Sequence, residues 1–119
     1  MSIPVSLDRL REEIAARGPA AFLVTVGQAG PHVVSVRLGW DGDALVAGCG
    51  DRTATNVAAT PAVTLLWPAP AFEDLSLLVD GPAAAADGTV RITPAKAVLH
   101  RSAEGAAGGP TCVKVLPEG

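Results

Sequence analysis

The sequence predicts a mainly β domain: a small barrel or strongly curled antiparallel sheet, with one leading helix and one short inserted helix. Three observations carry this. From residue 21 onward apolar residues come in short runs, several alternating with period two. Turn signals such as "GQAG", "DGD" and Asp87-Gly88 separate those runs. Helical patterns with start and stop signals occupy about residues 6–17 and 52–60. The chain has 119 residues, 49% of them apolar, which suits a single domain over 1–119 with one core. Closure of the sheet would protect the edges of so apolar a chain.

The elements follow in order. "SLDRLREEIAARGP" opens at Ser6, a cap residue, places Asp8 at the positive end of the helix dipole, and stops at Gly18-Pro19. Leu7, Leu10 and Ile14 form its apolar stripe, while Arg9, Glu12, Glu13 and Arg17 are expected to face water. "AFLVTV" is a buried strand. "PHVVSVRLGW" alternates, with Val34, Val36, Leu38 and Trp40 on one face and Val33, Ser35, Arg37 and Gly39 on the other. A hairpin at "DGD" leads to "ALVAGC". "DRTATNVAAT" supplies about two helical turns ended by Pro61, and "AVTLLW" is again a strand. A proline-rich loop, "PAPAFED", precedes "LSLLVDGPAAAA" and "TVRIT". "TPAKAVLHR" reads either as a helix opened by Thr93-Pro94 or as a strand, and "TCVKV" reads as a last strand.

Charge and motifs exclude several functions. A net charge of −3 without a Lys or Arg cluster argues against nucleic acid. No apolar run approaches the roughly 20 residues of a membrane span. The N-terminus lacks a signal-peptide pattern, so a cytoplasmic location is expected. Cys49 and Cys112, like His32 and His100, stand apart without metal-ligand spacing, and no metal site is expected. No G-x-S-x-G elbow marks a hydrolase. His100 reads as a packed residue or a ligand donor, and Trp40 and Trp67 as core or subunit-interface residues.

"GCGDRTATNVAATPAVTLLWP" concentrates the chemistry. A strand delivers the chain to Gly50, and the first N–H groups of the following helix lack internal acceptors and carry partial positive charge. Arg52 and Thr53 would add donors, as a phosphate site requires. The same residues also suit a plain helix start. Asp51 is a favoured cap whose carboxylate would take those donors and repel a phosphate, and Arg52 would then pair with it or face solvent.

The order "AFLVTVGQAGPHVVSVRLGWDGDALVAGCGDRTATNVAATPAVTLLWP" resembles the pyridoxamine 5'-phosphate oxidase-like family, the FMN-binding split barrels, which includes flavin- and deazaflavin-dependent oxidoreductases of actinobacteria. The resemblance spans roughly residues 5 to 101 and rests on G-x-P, G-x-R-T-x-x-N and "NVAATPAVTLLWP", with "LSLLVDGPA" as a looser match. It implies a six-stranded antiparallel split barrel, a homodimer with a cofactor groove between subunits, and FMN or a deazaflavin coenzyme that passes hydride or electrons to a small molecule. By position it implies ring contacts from Val34, Ser35, Val36 and Arg37, from Val46 and Ala47, and from Ser76. The phosphate falls on Gly50, Asp51, Arg52 and Thr53.

The chain also departs from that pattern. The oxidase proper has Ser-Arg-Lys where Asp51-Arg52-Thr53 stand, and an arginine where Val34 aligns. Two cationic phosphate contacts are therefore missing and a carboxylate is added, at about 1.5–3 kcal/mol for each lost charge-assisted bond. The sequence has no tyrosine, and the match runs out before the basic residues that hold the pyridoxal substrate. Pyridoxamine phosphate oxidation is not the expected activity. The alternative to a flavin oxidoreductase is a non-catalytic split-barrel dimer without tight flavin binding, serving as a small-ligand or haem-binding module.

Overall fold

In the computed structural model, which describes residues 2–71 and 74–102, the elements run β1 (Ser2–Val5), α1 (Leu7–Arg17), β2 (Ala20–Gly27), β3 (Gly30–Arg37), β4 (Gly39–Asp41), β5 (Ala44–Gly48), α2 (Asp51–Ala59), β6 (Ala62–Trp67), β7 (Ser76–Ala86), β8 (Thr89–Ile92) and β9 (Lys96–His100). All strand pairs are antiparallel, in the order β3-β2-β6-β7-β8-β5-β4. β9 pairs with the first part of β7, and β1 pairs with β9. The two ends of that path, β3 and β4, are separated in sequence by Leu38 alone and share no ladder. The sheet therefore curls back on itself but stays open between them, which is the expected split barrel.

β7 is the hinge of the architecture. Residues 76–80 pair with β9 and residues 83–86 with β8, so the strand changes partner at Gly81-Pro82. The loop from β8 to β9 crosses at that point. The Thr93 N–H donates to the Pro82 carbonyl at 3.0 Å and the Ala95 N–H to the Asp80 carbonyl at 2.8 Å.

Alternation along the strands fills the interior. Leu23, Leu65, Leu77, Val79, Val90 and Ile92 are fully buried and are joined by Leu10 and Ile14 of α1 and Val57 of α2. Full burial of each such side chain is worth about 1.5–3 kcal/mol. Trp67 is buried, and its indole N–H donates to the Gly18 carbonyl at 2.9 Å, so the polar tip of a core residue closes the end of α1. Gly18 holds a positive φ of 98° and donates its N–H to the Ile14 carbonyl, which ends the helix. Arg11 stacks on Trp40 at 4.1 Å and donates to the Gly42 carbonyl, fixing α1 to the β4–β5 hairpin.

Several elements differ in detail from the sequence reading. The helices begin and end within a residue of expectation, with Ser6 and Gly50 at the N-cap positions. Leu7 is exposed, so the buried stripe of α1 is Leu10 and Ile14. Glu13 and Arg17 are half-buried rather than solvated, because they pair at 2.7 Å and Arg17 also reaches the Leu75 carbonyl. The strand through Trp40 breaks at Leu38, whose N–H donates to the Pro19 carbonyl. Residues 96–100 form a strand, and β1, not anticipated, covers its edge. "TCVKV" and Cys112 lie outside the described residues. No helix among the described residues is long and apolar enough to cross a membrane.

Candidate functional site

β5 runs into the turn that the sequence singled out. The Cys49 N–H donates to the Gly88 carbonyl at 2.9 Å, which anchors the strand end. Gly50 then takes the N-cap position with extended backbone, and its carbonyl accepts the first helical bond from the Ala54 N–H at 3.1 Å. The N–H groups of residues 51–53 are thus left without helical acceptors, as at any helix start. A side chain at Gly50 would stand in open space, so the approach to these amides is clear.

Asp51 does not cap the helix. It is the first helical residue, and no side-chain cap hydrogen bond forms. Asp51 and Arg52 are both exposed. The ion pairs among the described residues join Arg9 to Glu12, Arg17 to Glu13 and Arg91 to Asp41, so Arg52 and Arg37 have no carboxylate partner there. Thr53 is 2% exposed, which turns its hydroxyl inward and leaves its backbone N–H as its contribution to the turn.

Residues 34–37, which the resemblance assigns to the ring, lie on β3, an end strand of the sheet. β2 pairs it along one side, from Gly30 opposite Gly27 to Arg37 opposite Ala20, and no strand pairs its other side among the described residues. Alternate N–H and C=O groups on that side are free of the ladder. Val36 is buried and Val34 half-buried, both in the core, while Ser35 and Arg37 are exposed. Val46 pairs with Gly39, two residues past Arg37, and β3 lies against β5. Val46 is half-buried, whereas Ala47 is buried in the core, because alternation along β5 turns its side chain inward, and β5 carries the chain on to the Gly50 turn.

Ser76 is placed elsewhere. Its hydroxyl accepts the Ala69 N–H at 2.9 Å, and on β7 it stands opposite His100 of β9. β2 and β6 separate β7 from β3, so roughly 14 Å of sheet, at about 4.8 Å per strand, lies between Ser76 and the ring segment. His100 is exposed, with Nδ1 3.4 Å from the Ser2 hydroxyl.

Asn56, four residues beyond Arg52, has a role that the sequence did not disclose. It is 6% exposed, and its amide nitrogen lies 3.0 Å from the hydroxyl of Thr25, which is fully buried on β2. This bond seats α2 on the sheet, and Gly27 leaves room for it: a Cβ there would stand 2.9 Å from Asn56 Cγ. Beside this contact a cleft of about 520 Å³ opens between α2 and the β2–β3 turn. The spacing G-x-R-T-x-x-N held the signal, but it does not say which strand the Asn meets. Thr25→Val should destabilise the protein by about 1–3 kcal/mol, because it leaves the Asn56 amide without its partner. A urea titration of the two proteins measures this.

No family model matches the sequence. The Mycobacterium bovis protein Mb0449c is 38% identical over 114 residues, covering 81% of this chain and 79% of that protein. The M. tuberculosis protein MT0457 matches to the same extent. Solved structures share the fold at lower identity. A Listeria innocua protein assigned as a pyridoxamine 5'-phosphate oxidase has a TM-score of 0.63 at 18% identity, covering 78% of this chain and 99% of that one. The FAD binding protein of M. smegmatis has a TM-score of 0.60 at 14% identity, covering 85% and 100%. An F420 reductase has a TM-score of 0.53 at 19% identity, covering 68% and 90%. The chain thus belongs to one family with the mycobacterial proteins Mb0449c and MT0457, built on the split barrel of the pyridoxamine 5'-phosphate oxidase-like proteins.

Proposed function

We propose that the chain binds a flavin or deazaflavin cofactor, as FMN or a relative, and positions it for hydride or electron transfer to a small molecule. One observation carries the reading: Arg52, with no carboxylate partner among the described residues, stands at a helix start with free amides at the end of β5, and β5 lies against β3, whose outer edge is also free among those residues. These groups fit a phosphate and a planar heterocycle. The cofactor supplies the redox chemistry when bound. The protein's part is to hold and orient. Arg52 and the amides of residues 51–53 take the phosphate, while backbone groups of residues 34–37 face the ring edge. The buried Val36 keeps that backbone in place.

A homodimer completes the reading. The outward face of the sheet carries a row in which Ser35, Phe22, Leu66, Leu78, Val98 and Pro4 are register neighbours across six strands. Phe22 on this face is 40% exposed, and Val26 and Val33 more so. A continuous apolar face of this kind suits a second copy of the chain. It would also exclude water from the groove and bring in the end of the sheet that bears Ser76.

The test is a titration of FMN and a deazaflavin coenzyme, read by absorbance and fluorescence. Arg52→Ala should weaken binding roughly 10- to 150-fold, the equivalent of about 1.5–3 kcal/mol, with an unchanged melting temperature because the side chain is exposed. Unchanged binding would overturn the placement of the phosphate. The exposed Asp51 and the single cation at the turn favour a second reading, a split-barrel module without tight flavin binding. Saturation by haem or another small ligand, with none by flavins, would establish it.

A further inference from the structure

We propose that Thr25 and Asn56 are positioning residues for the ligand: their hydrogen bond sets the span between the phosphate turn and the ring strand. That span decides whether one flavin can engage both. The proposal rests on the flavin reading above and adds to it the device that holds the two halves of the site in register.

The need for such a device follows from how α2 is attached. Of its nine residues, Thr53, Asn56 and Val57 are buried, so Val57 is the one apolar side chain that the helix buries fully. That contact holds the helix on the sheet but does not fix its rotation or sliding, because hydrophobic burial has no direction. A hydrogen bond does have one. The Asn56 amide donates to the Thr25 hydroxyl at 3.0 Å, and both residues are shielded from water that could replace either partner. Gly27, two residues further on β2, brings the strand against the same amide: a Cβ there would stand 2.9 Å from Asn56 Cγ and 3.1 Å from its nitrogen. The helix is thus keyed to one place on the strand.

This key joins the two halves of the site. Asn56 lies one helical turn beyond Arg52, about 6 Å along the axis, so a displacement at Asn56 carries the amides of residues 51–53 with it. Thr25 stands opposite His32 in the β2–β3 ladder, and residues 34–37 follow on the same strand. The path from phosphate turn to ring edge therefore runs through α2, Asn56, Thr25 and β3. A flavin joins its phosphate to its ring through one short chain of limited reach. Charge-assisted bonds to the phosphate form over a narrow range, about 2.7–2.9 Å, so a shift of the turn by an ångström forfeits them while the ring still docks.

The experiment titrates FMN and riboflavin, which share the ring and differ in the phosphate, into the wild-type protein, Thr25→Val, Thr25→Ser and Gly27→Ala. Circular dichroism follows the folded fraction. The wild-type protein should bind FMN at least about 10-fold more tightly than riboflavin. Thr25→Val keeps the branched shape and removes the hydroxyl. It should reduce the preference for FMN to within about twofold, with riboflavin affinity per folded molecule unchanged. Thr25→Ser keeps the hydroxyl and should keep the preference. Gly27→Ala displaces the Asn56 amide without touching Thr25, so it should lower the preference as well, and it carries the comparison if Thr25→Val does not fold. A merely structural role would weaken both ligands alike, in proportion to the unfolded fraction. An FMN preference that survives in the folded variants, or one lost equally in Thr25→Ser, overturns the positioning role and leaves the flavin reading standing. A wild-type protein that binds flavins without preferring FMN overturns the phosphate placement and this proposal with it, and absence of any flavin binding overturns the flavin reading as well.

Discussion

Gly81→Ala is expected to destabilise the protein by about 3–5 kcal/mol and to lower its melting temperature by on the order of 10–20 °C. A Cβ at this position would stand 2.9 Å from the Thr93 carbonyl carbon and 3.2 Å from the Ala95 nitrogen, and closer still to the Thr93 carbonyl oxygen. All of these are backbone atoms, so no rotamer change relieves the clash. The loop they belong to is tied down on both sides of Gly81 by its bonds to Pro82 and Asp80. A methyl group must therefore break those bonds or displace β7, which serves both halves of the sheet. A domain of this size has about 5–15 kcal/mol of stability in all, so the loss is a large fraction of it. Gly39→Ala is the control. Gly39 has no atom within 4 Å of its Cβ position and no left-handed φ, so calorimetry should register little change.

The contrast between those two glycines also shows where sequence reading stops. Both sit in strands, and the sequence marks both as glycine. The need at Gly81 comes from a loop twelve residues later in the chain crossing above it, and no local pattern encodes that. What was legible came from local physics. Turn chemistry placed Asp87-Gly88, and cap and stop signals placed both helices within a residue. Alternation placed Val36 and Leu38 in the core. β1 escaped notice because four residues with a proline give no periodicity, and its role depends on β9, almost a chain length away. At the site, Arg52 and the free helix start could be read from G-x-R-T. The choice between cap and cradle could not, because Asp51 satisfies both patterns. The structure removes the cap by placing Gly50 at that position. Asn56 was visible as a residue and invisible as a contact, since its partner Thr25 lies on a strand thirty-one positions earlier.

Phe22→Asp should convert the proposed dimer to monomer, raising its dissociation constant roughly 100-fold or more, about 3 kcal/mol. Phe22 stands mid-row on the outward face, between Ser35 and Leu66, and is the largest exposed apolar side chain there. Docking a second copy would desolvate it, and a carboxylate in its place would be buried with no cation directly opposite, the nearest on that face of the same chain being Arg37, diagonal to it on β3. The row holds no basic residue. Lys96 lies one row away, opposite Asp80, which accepts the Thr64 hydroxyl at 2.6 Å. The substitution also costs strand propensity, on the order of 1 kcal/mol, so folding must be followed separately from association. Leu7→Asp controls for loss of surface apolar area, because Leu7 is 50% exposed on α1 and off the sheet face. Sedimentation should show a wild-type dimer, a Leu7→Asp dimer and a folded Phe22→Asp monomer. If the cofactor groove is shared between subunits, Phe22→Asp should also lose flavin affinity although every phosphate and ring contact of its own chain is intact. A wild-type monomer that binds flavin normally would place the whole site within one chain, and the apolar face would then need another explanation.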